Sequence, residues 1–229
     1  MAVADKEPPR ARYRAQLRAE IKEHAWKQIA AAGAPGLSLN AIAKQLGMSG
    51  PALYRYFASR DDLITELIRD AYRSLADTIR ATAASGADLP GLGRALRTWA
   101  LTDPQRYFLI YGTPVPGYHA PDDVTAIAAE IMEAVLGAAP PATSTSASAS
   151  AEETPLEAHL AGHRQWAGDH PAAPATLRVA LHFWTRLHGI LSLELAGHFA
   201  GMGFDPAELY EHELRCLTGR HAGGSVASR

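Results

Sequence analysis

The stretch LSLNAIAKQLGMSGPALYRYF, Leu37–Phe57, holds two short helical patterns with a break between them. Ser38 stands where an N-cap would start a helix running to about Leu46. Gly47 supplies the left-handed stop that ends it. Ser49 is the next cap, and Pro51 is tolerated in the first turn of a second helix ending near Phe57. Ile42, Ala43, Leu46 and Leu53 can bury the facing sides, with Phe57 also in the core. The exposed start of the second helix is small or polar: Ser49, Gly50, Pro51, Ala52. A helix end of that kind can approach base edges in a major groove. Ala52 suits a thymine methyl, and the hydroxyls of Ser38, Ser49, Tyr54 and Tyr56 suit phosphate oxygens. Spacing alone reads equally well as an ordinary helical hairpin packed in a core.

The flanks extend the pattern. Upstream, Leu17, Ile21, Ala25 and Ile29 recur every four residues and predict a helix over about Tyr13–Ala32, stopped by Gly33, Pro35 and Gly36. Downstream, Ser59 caps a long helix over about Arg60–Ala84, with Asp61 and Asp62 in its first turn and Leu63, Leu67, Ala71 and Leu75 along one stripe. Further helices are expected at about 90–102, 104–111, 122–138, 155–168, 174–200 and 206–218. Alternating β-branched runs do not occur, so the fold class is all-α: an N-terminal three-helix helix-turn-helix domain joined by a long fourth helix to a helical body. The expected divisions are a disordered basic arm over 1–12, the helix-turn-helix domain over 13–60, the body over 61–218 and a disordered tail over 219–229. Within the body, the low-complexity stretch 139–154 is expected to be a flexible loop.

Composition narrows the function classes. A chain of 229 residues that is 47% hydrophobic and 20% charged can bury a core and is not a disordered polymer. Residues 1–60 carry a net charge of +6 and the remainder −8, which suggests that one end meets a polyanion. Arginine outnumbers lysine 18 to 4 and Asn40 is the only asparagine; this is a coding bias, so arginine abundance by itself says little. Cys216 is the single cysteine, which excludes an internal disulfide and any cysteine-based zinc cluster. No apolar run spans a bilayer and no signal-peptide region opens the chain, so the expected location is cytoplasmic, without membrane contact. There is no Gly-x-Ser-x-Gly elbow, phosphate loop or His-Glu-x-x-His, and Gly91-Leu92-Gly93 does not follow a strand. The expectation is no enzyme and no cofactor.

From about Arg18 to Leu67 the residues resemble the DNA-binding domain of TetR-family repressors. The resemblance rests on Ile21, Ala25 and Ile29–Gly33, on Leu37-Ser38, Ile42-Ala43 and Leu46-Gly47, and on Ser49, Ala52–Phe57, Ser59-Arg60 and Leu63. It implies that Asn40, Gly50, Pro51, Ala52 and Arg55 approach bases, and that Ser38, Ser49, Tyr54, Tyr56 and Arg60 hold phosphates of a double-stranded operator. Position 60 is usually lysine in the family and is arginine here. Gly50 offers no side chain, so base reading shifts toward Asn40, Arg55 or the basic arm. The resemblance also implies a homodimer released from DNA by a small-molecule effector. His182–Gly189 (HFWTRLHG) is similar to a Trp…His-Gly pattern in one subgroup.

The body offers candidates for the effector. Aromatic residues collect there, and an apolar cavity with a few polar groups would suit a small molecule. The expected pocket residues are Trp99, Phe108, Tyr111, Trp166, Trp184 and His188. The expected dimer face combines Leu177, Leu181, Trp184, His188, Leu191 and Leu195 with Leu209, His212, Glu213, Cys216 and Leu217. His159 and His163 have helical i, i+4 spacing, with His170 nearby, but no carboxylate is placed with them and no metal is expected. Cys216 reads as a packing residue.

Overall fold

The structure is a computed structural model that describes residues 8–113, 121–140 and 154–217. Every regular element among them is a helix. In chain order these are α1 (Pro9–Ala32), α2 (Leu39–Gln45), α3 (Gly50–Leu53), α4 (Arg60–Ala84) and α5 (Leu89–Thr102). Then come α6 (Pro104–Tyr111), α7 (Asp122–Ala138), α8 (Pro155–Gly162), α9 (Pro174–Leu195) and α10 (Pro206–Leu217). Single 3-10 turns cover Ala34–Gly36 and Gln165–Ala167. None of these helices is long and apolar enough to cross a membrane.

Two compact units result: residues 8–71 with 105–113, and residues 72–104 with 121–217. The expected division after residue 60 put α6 with the body; its residues from Gln105 onward group with the N-terminal helices.

In the first unit, Ile21, Ala25 and Ile29 of α1 are buried, with Leu17 half-buried at the end of the same stripe. They share a core with Ile42, Ala43, Leu53, Phe57, Leu63 and Leu67. Helix α1 begins at Pro9 rather than Tyr13, because proline is pre-set for a first helical turn and Arg10, Ala11 and Arg12 continue it without strain. Only residues 8–12 of the expected arm can be compared; the rest of it lies outside the described residues. Two ion pairs one helical turn apart tie α1 to α4: Arg18 to Glu66 at 3.3 Å and Lys22 to Asp70 at 2.6 Å. Arg106 of α6 lies over the Trp26 ring of α1 at 5.2 Å.

The second unit is built on α9. Thr176, Leu177, Ala180, Phe183, Leu187 and Leu191 are its buried face. Gly93 of α5 lets that helix come close to α9 and α10: a Cβ there would lie 2.5 Å from Leu214 Cδ2, 3.1 Å from Leu187 Cδ1 and 3.3 Å from Phe183 Cε2. The Tyr210 hydroxyl donates to the Gly93 carbonyl at 2.7 Å across the same contact. Bidentate pairs lock the outside, Arg94 on Glu211 and Arg97 on Glu194.

Three helix ends differ from the pattern. Helix α9 stops at Leu195, where Gly197 (φ 77°) closes a Schellman motif: its N–H donates to Glu194 O and that of His198 to Leu193 O. Helix α8 stops at Gly162, before the 3-10 turn. Helix α3 is four residues long, and Arg55 and Tyr56 tighten its exit through bonds to the carbonyls three residues back. Helix α8 starts on a capping box. Thr154 Oγ1 accepts from the Glu157 backbone, and Glu157 Oε2 accepts from the Thr154 backbone. The other carboxylate oxygen takes Arg178 Nε at 2.9 Å. The Thr154 N–H, helped by Arg178, holds the Glu157 carboxyl at about 2. The loop expected over 139–154 and the tail from 219 fall mostly outside the described residues.

Candidate nucleic-acid interface

Helices α2 and α3 meet through buried Ile42, Ala43 and Leu53, and Leu46 is half-buried beside them. Gly47 (φ 65°) makes the turn between them, a conformation that costs a side-chain-bearing residue but not glycine. Burial of the inner faces fixes which residues remain outside. Ser38, Asn40, Ser49, Pro51, Tyr54 and Arg55 are exposed; Gly50, Ala52, Tyr56 and Arg60 are half-buried. A Cβ at Gly50 would sit 3.5 Å from Asn40 Oδ1. Asn40 of α2 and the first turn of α3 therefore form one continuous patch.

The two serines behave differently. Ser38 Oγ accepts from the Ala41 N–H at 3.3 Å, and the Ser38 N–H donates to Gln28 Oε1 at 2.8 Å. Its hydroxyl is a working cap. Ser49 holds the N-cap position of α3 without a side-chain capping hydrogen bond, unlike the expectation. Pro51 removes one donor from the turn that the cap would serve. The Ser49 hydroxyl is left facing solvent at the tip of α3.

Arg60 is engaged within the protein. Its Nε donates to Leu37 O at 3.1 Å and its Nη2 to Ala34 O at 2.6 Å. The fork thus pins the connection between α1 and α2, and any phosphate contact must use its remaining donors. Tyr54 is 46% exposed, while Tyr56 lies against Arg14 with the guanidinium 5.7 Å from its ring. Sequence reasoning missed Arg14, Arg18 and Gln28. Arg14 and Arg18 donate to the carbonyls of Arg55 and Tyr56. Their i, i+4 spacing was the one signal that could have found them.

The expected effector residues fall into both units. In the first, Phe108 is 37% exposed and packs edge-on against Tyr107, and Tyr111 leans on Tyr107 at 5.3 Å. In the second, Trp99 is buried and donates from Nε1 to Ser74 Oγ at 3.1 Å. Trp184 and His188 touch, with ring centroids 4.3 Å apart, and Trp166 is half-buried in the 3-10 turn. Burial pushes the His188 imidazole down to about 4, so it is neutral near pH 7. A groove of about 680 Å³ on the second unit is lined by Asp77, Arg80, Glu130, Glu133 and four alanines. None of the six expected residues lines it.

The expected dimer face divides in two. Leu177 and Leu191 belong to the buried face of α9, while Leu181, Trp184, His188 and Leu195 form a half-buried strip beside it. On α10 the buried residues are Tyr210 and Leu214, with Leu209, Glu213, Cys216 and Leu217 half-buried. His159 and His163 stack at 4.1 Å, and His163 Nδ1 lies 2.8 Å from the His159 carbonyl. Among the described residues no three metal-ligating side chains converge.

The chain is similar to known regulatory proteins along most of its length. Residues 21–67 match a family model described as bacterial regulatory proteins, tetR family, and residues 89–217 match tetracyclin repressor-like, C-terminal domain. HTH-type transcriptional regulator Rv1816 of Mycobacterium tuberculosis is 38% identical over 215 residues, covering 89% of this chain and 92% of that one. HTH-type transcriptional regulator Mb1846 of Mycobacterium bovis matches to the same extent. Among solved structures, regulatory protein SCO4313 is 66% identical with a TM-score of 0.83, covering 93% of this chain and all of that one (100%). A Rhodococcus sp. RHA1 protein at 21% identity and a TM-score of 0.63, covering 94% of this chain and 97% of its own, shares the fold.

Proposed function

The chain belongs to the TetR family of bacterial regulatory proteins, and from that premise we propose that it is a homodimeric repressor released from its operator by a small molecule. The family is one of transcriptional regulators with a DNA-binding domain, not of catalysts. The observation that carries the DNA-reading assignment is the patch on α2 and α3. Asn40, Gly50, Pro51, Ala52 and Arg55 are the base-facing set, on a helix tip small enough to approach base edges. Ser38, Ser49, Tyr54 and Tyr56 supply hydroxyls for phosphates, with Arg60 contributing what its turn-pinning role leaves.

The half-buried strips of α9 and α10 support the dimer. Two copies of such a helix pair make an isologous four-helix interface. A two-fold dimer reads a near-palindrome whose half-sites lie one or more turns apart, about 34–36 Å per turn. The effector acts by favouring a conformation in which the two reading heads lose that spacing, which requires different affinities for the two states. Within the second unit Trp99, Trp166, Trp184 and His188 are the candidates for contacting it; Phe108 and Tyr111 are the separate candidates of the first unit.

The test is a selection of duplexes from a random pool with purified full-length protein, followed by a search of the selected motif in the genome. A near-palindromic motif bound far more tightly than random duplex supports the reading. Equal affinity for random and selected duplexes refutes sequence-specific binding. Metabolites acting on genes beside the motif are then screened for displacement of the protein from DNA.

A further inference from the structure

Helix α3 is only four residues long, too short to hold its own orientation through internal hydrogen bonds. Leu53 and Phe57 anchor its inner side. Two apolar anchors fix how deep the helix sits but leave rotation about the line between them poorly restrained, since apolar contact is non-directional. The turn leaving α3 also exposes carbonyls that the helix itself cannot satisfy.

Helix α1 meets both needs. Arg14 and Arg18 lie one turn apart on the same side of α1. Arg14 Nη2 donates to Arg55 O at 3.3 Å, and Arg18 Nη1 donates to Tyr56 O at 2.6 Å. The Arg18 guanidinium also lies 4.4 Å from the Phe57 ring centroid. Its Nη2 is 3.3 Å from Glu66 Oε2 on α4, and Glu66 Oε1 is held in turn by Arg69. A cavity of about 420 Å³ opens beside this chain of contacts.

We propose that Arg18, held by Glu66, is a positioning residue that sets the rotation of α3 and thereby the base preference, without itself touching DNA. The proposal rests on the DNA-binding reading above. Both ends of the Arg18 fork are committed inside the protein, one to the turn leaving α3 and one to α4. Arg55 and Tyr56, whose carbonyls are held, are the residues that carry outward-facing groups at the end of the patch. Hydrogen bonds to base edges weaken steeply with misalignment, so a small rotation of α3 removes discrimination while leaving the positive charge of the surface in place.

The experiment uses full-length protein, a duplex selected from a random pool by the wild type, and a random duplex of equal length. Kd for both duplexes is measured over a salt series for wild type, Arg18→Lys, Glu66→Gln and the double variant. The ratio of the two affinities does not depend on the fraction of folded protein, so a merely structural role leaves it unmoved. The expected result is a roughly tenfold fall in that ratio, the scale of one lost base contact. The salt slope stays unchanged, and the double variant loses no more than the worse single one. An unchanged ratio with reduced thermal stability overturns the proposal and leaves Arg18 a fold-stabilising residue. A slope flatter by about one overturns it in favour of a phosphate contact. A wild type that prefers no duplex overturns the DNA-binding reading itself, and the proposal with it.

Discussion

Replacing Gly93 by alanine adds a single carbon where α5 packs against α9 and α10. The new Cβ would lie 2.5 Å from Leu214 Cδ2, 3.1 Å from Leu187 Cδ1 and 3.3 Å from Phe183 Cε2, against an ordinary carbon separation of about 3.5–4.0 Å. Leu214 must retreat by about 1 Å, and Leu214, Leu187 and Phe183 are all buried, so the shift falls within the core. Overpacking of this kind costs about 1–3 kcal/mol, and alanine returns about 1 kcal/mol of helix propensity over glycine. The net expectation is a loss of up to about 2 kcal/mol, or at most a few degrees in Tm for a chain of this size. Denaturant unfolding at fixed protein concentration measures it, because the stability of the proposed dimer would depend on concentration. Gly137→Ala is the control: it sits in α7, and nothing lies within 4 Å of its added carbon. That variant is expected to gain up to about 1 kcal/mol. A Gly93→Ala protein shifted upward like the control would refute the close-packing argument.

Four other outcomes follow from the same geometry. Tyr54→Phe, which removes one exposed hydroxyl, lowers affinity for selected and random duplexes alike and flattens the salt slope by less than one unit, read by fluorescence anisotropy. Arg60→Lys keeps the charge but cannot bridge Leu37 O and Ala34 O together, so unfolding free energy falls by about 1 kcal/mol; no change would mean the fork is not holding the turn. His188 is depressed to about 4 from 6.5, so the unfolded chain binds the extra proton first, and stability is full above about pH 6.5 and falls as pH drops toward 4. The His188 share is about 3 kcal/mol at most, and His188→Gln should flatten that part of the pH profile; identical profiles would count against it. Leu181→Asp places a charge in the half-buried strip of α9 and should convert the proposed dimer to a monomer of unchanged helicity by light scattering; a variant still dimeric puts the interface elsewhere.

Much of this was legible in the sequence, for reasons that differ from helix to helix. The bounds of α4, Arg60–Ala84, follow from the Ser59 cap, the acidic first turn and a continuous apolar stripe, all local signals that tertiary packing had no cause to override. The turn at Gly47 and the buried positions Ile42, Ala43 and Leu53 were equally local. What escaped was non-local. Ser49 is the local exception: Pro51, two residues on, removes one donor that its hydroxyl would have capped. Nothing near Arg60 says that its fork will reach back to Ala34, and Arg18 reads as surface charge until α3 and α4 are placed on either side of it. On α9, a 3.6-residue period cannot separate one broad apolar face from two adjoining strips; Leu187 and Phe183 were chosen by what α5 and α10 offered. Gly197 did carry the signal that ends α9, but the apolar residues after it extend the pattern past the true stop.

The capping box at Thr154 has a practical consequence for anyone rebuilding the chain. The register of α8 is set after the chain arrives, by Thr154 and Glu157 on each other and by Arg178 on Glu157, and not by the length of what leads into it. Any epitope, protease site or new terminus introduced ahead of α8 must therefore leave Thr154 and Glu157 both in place.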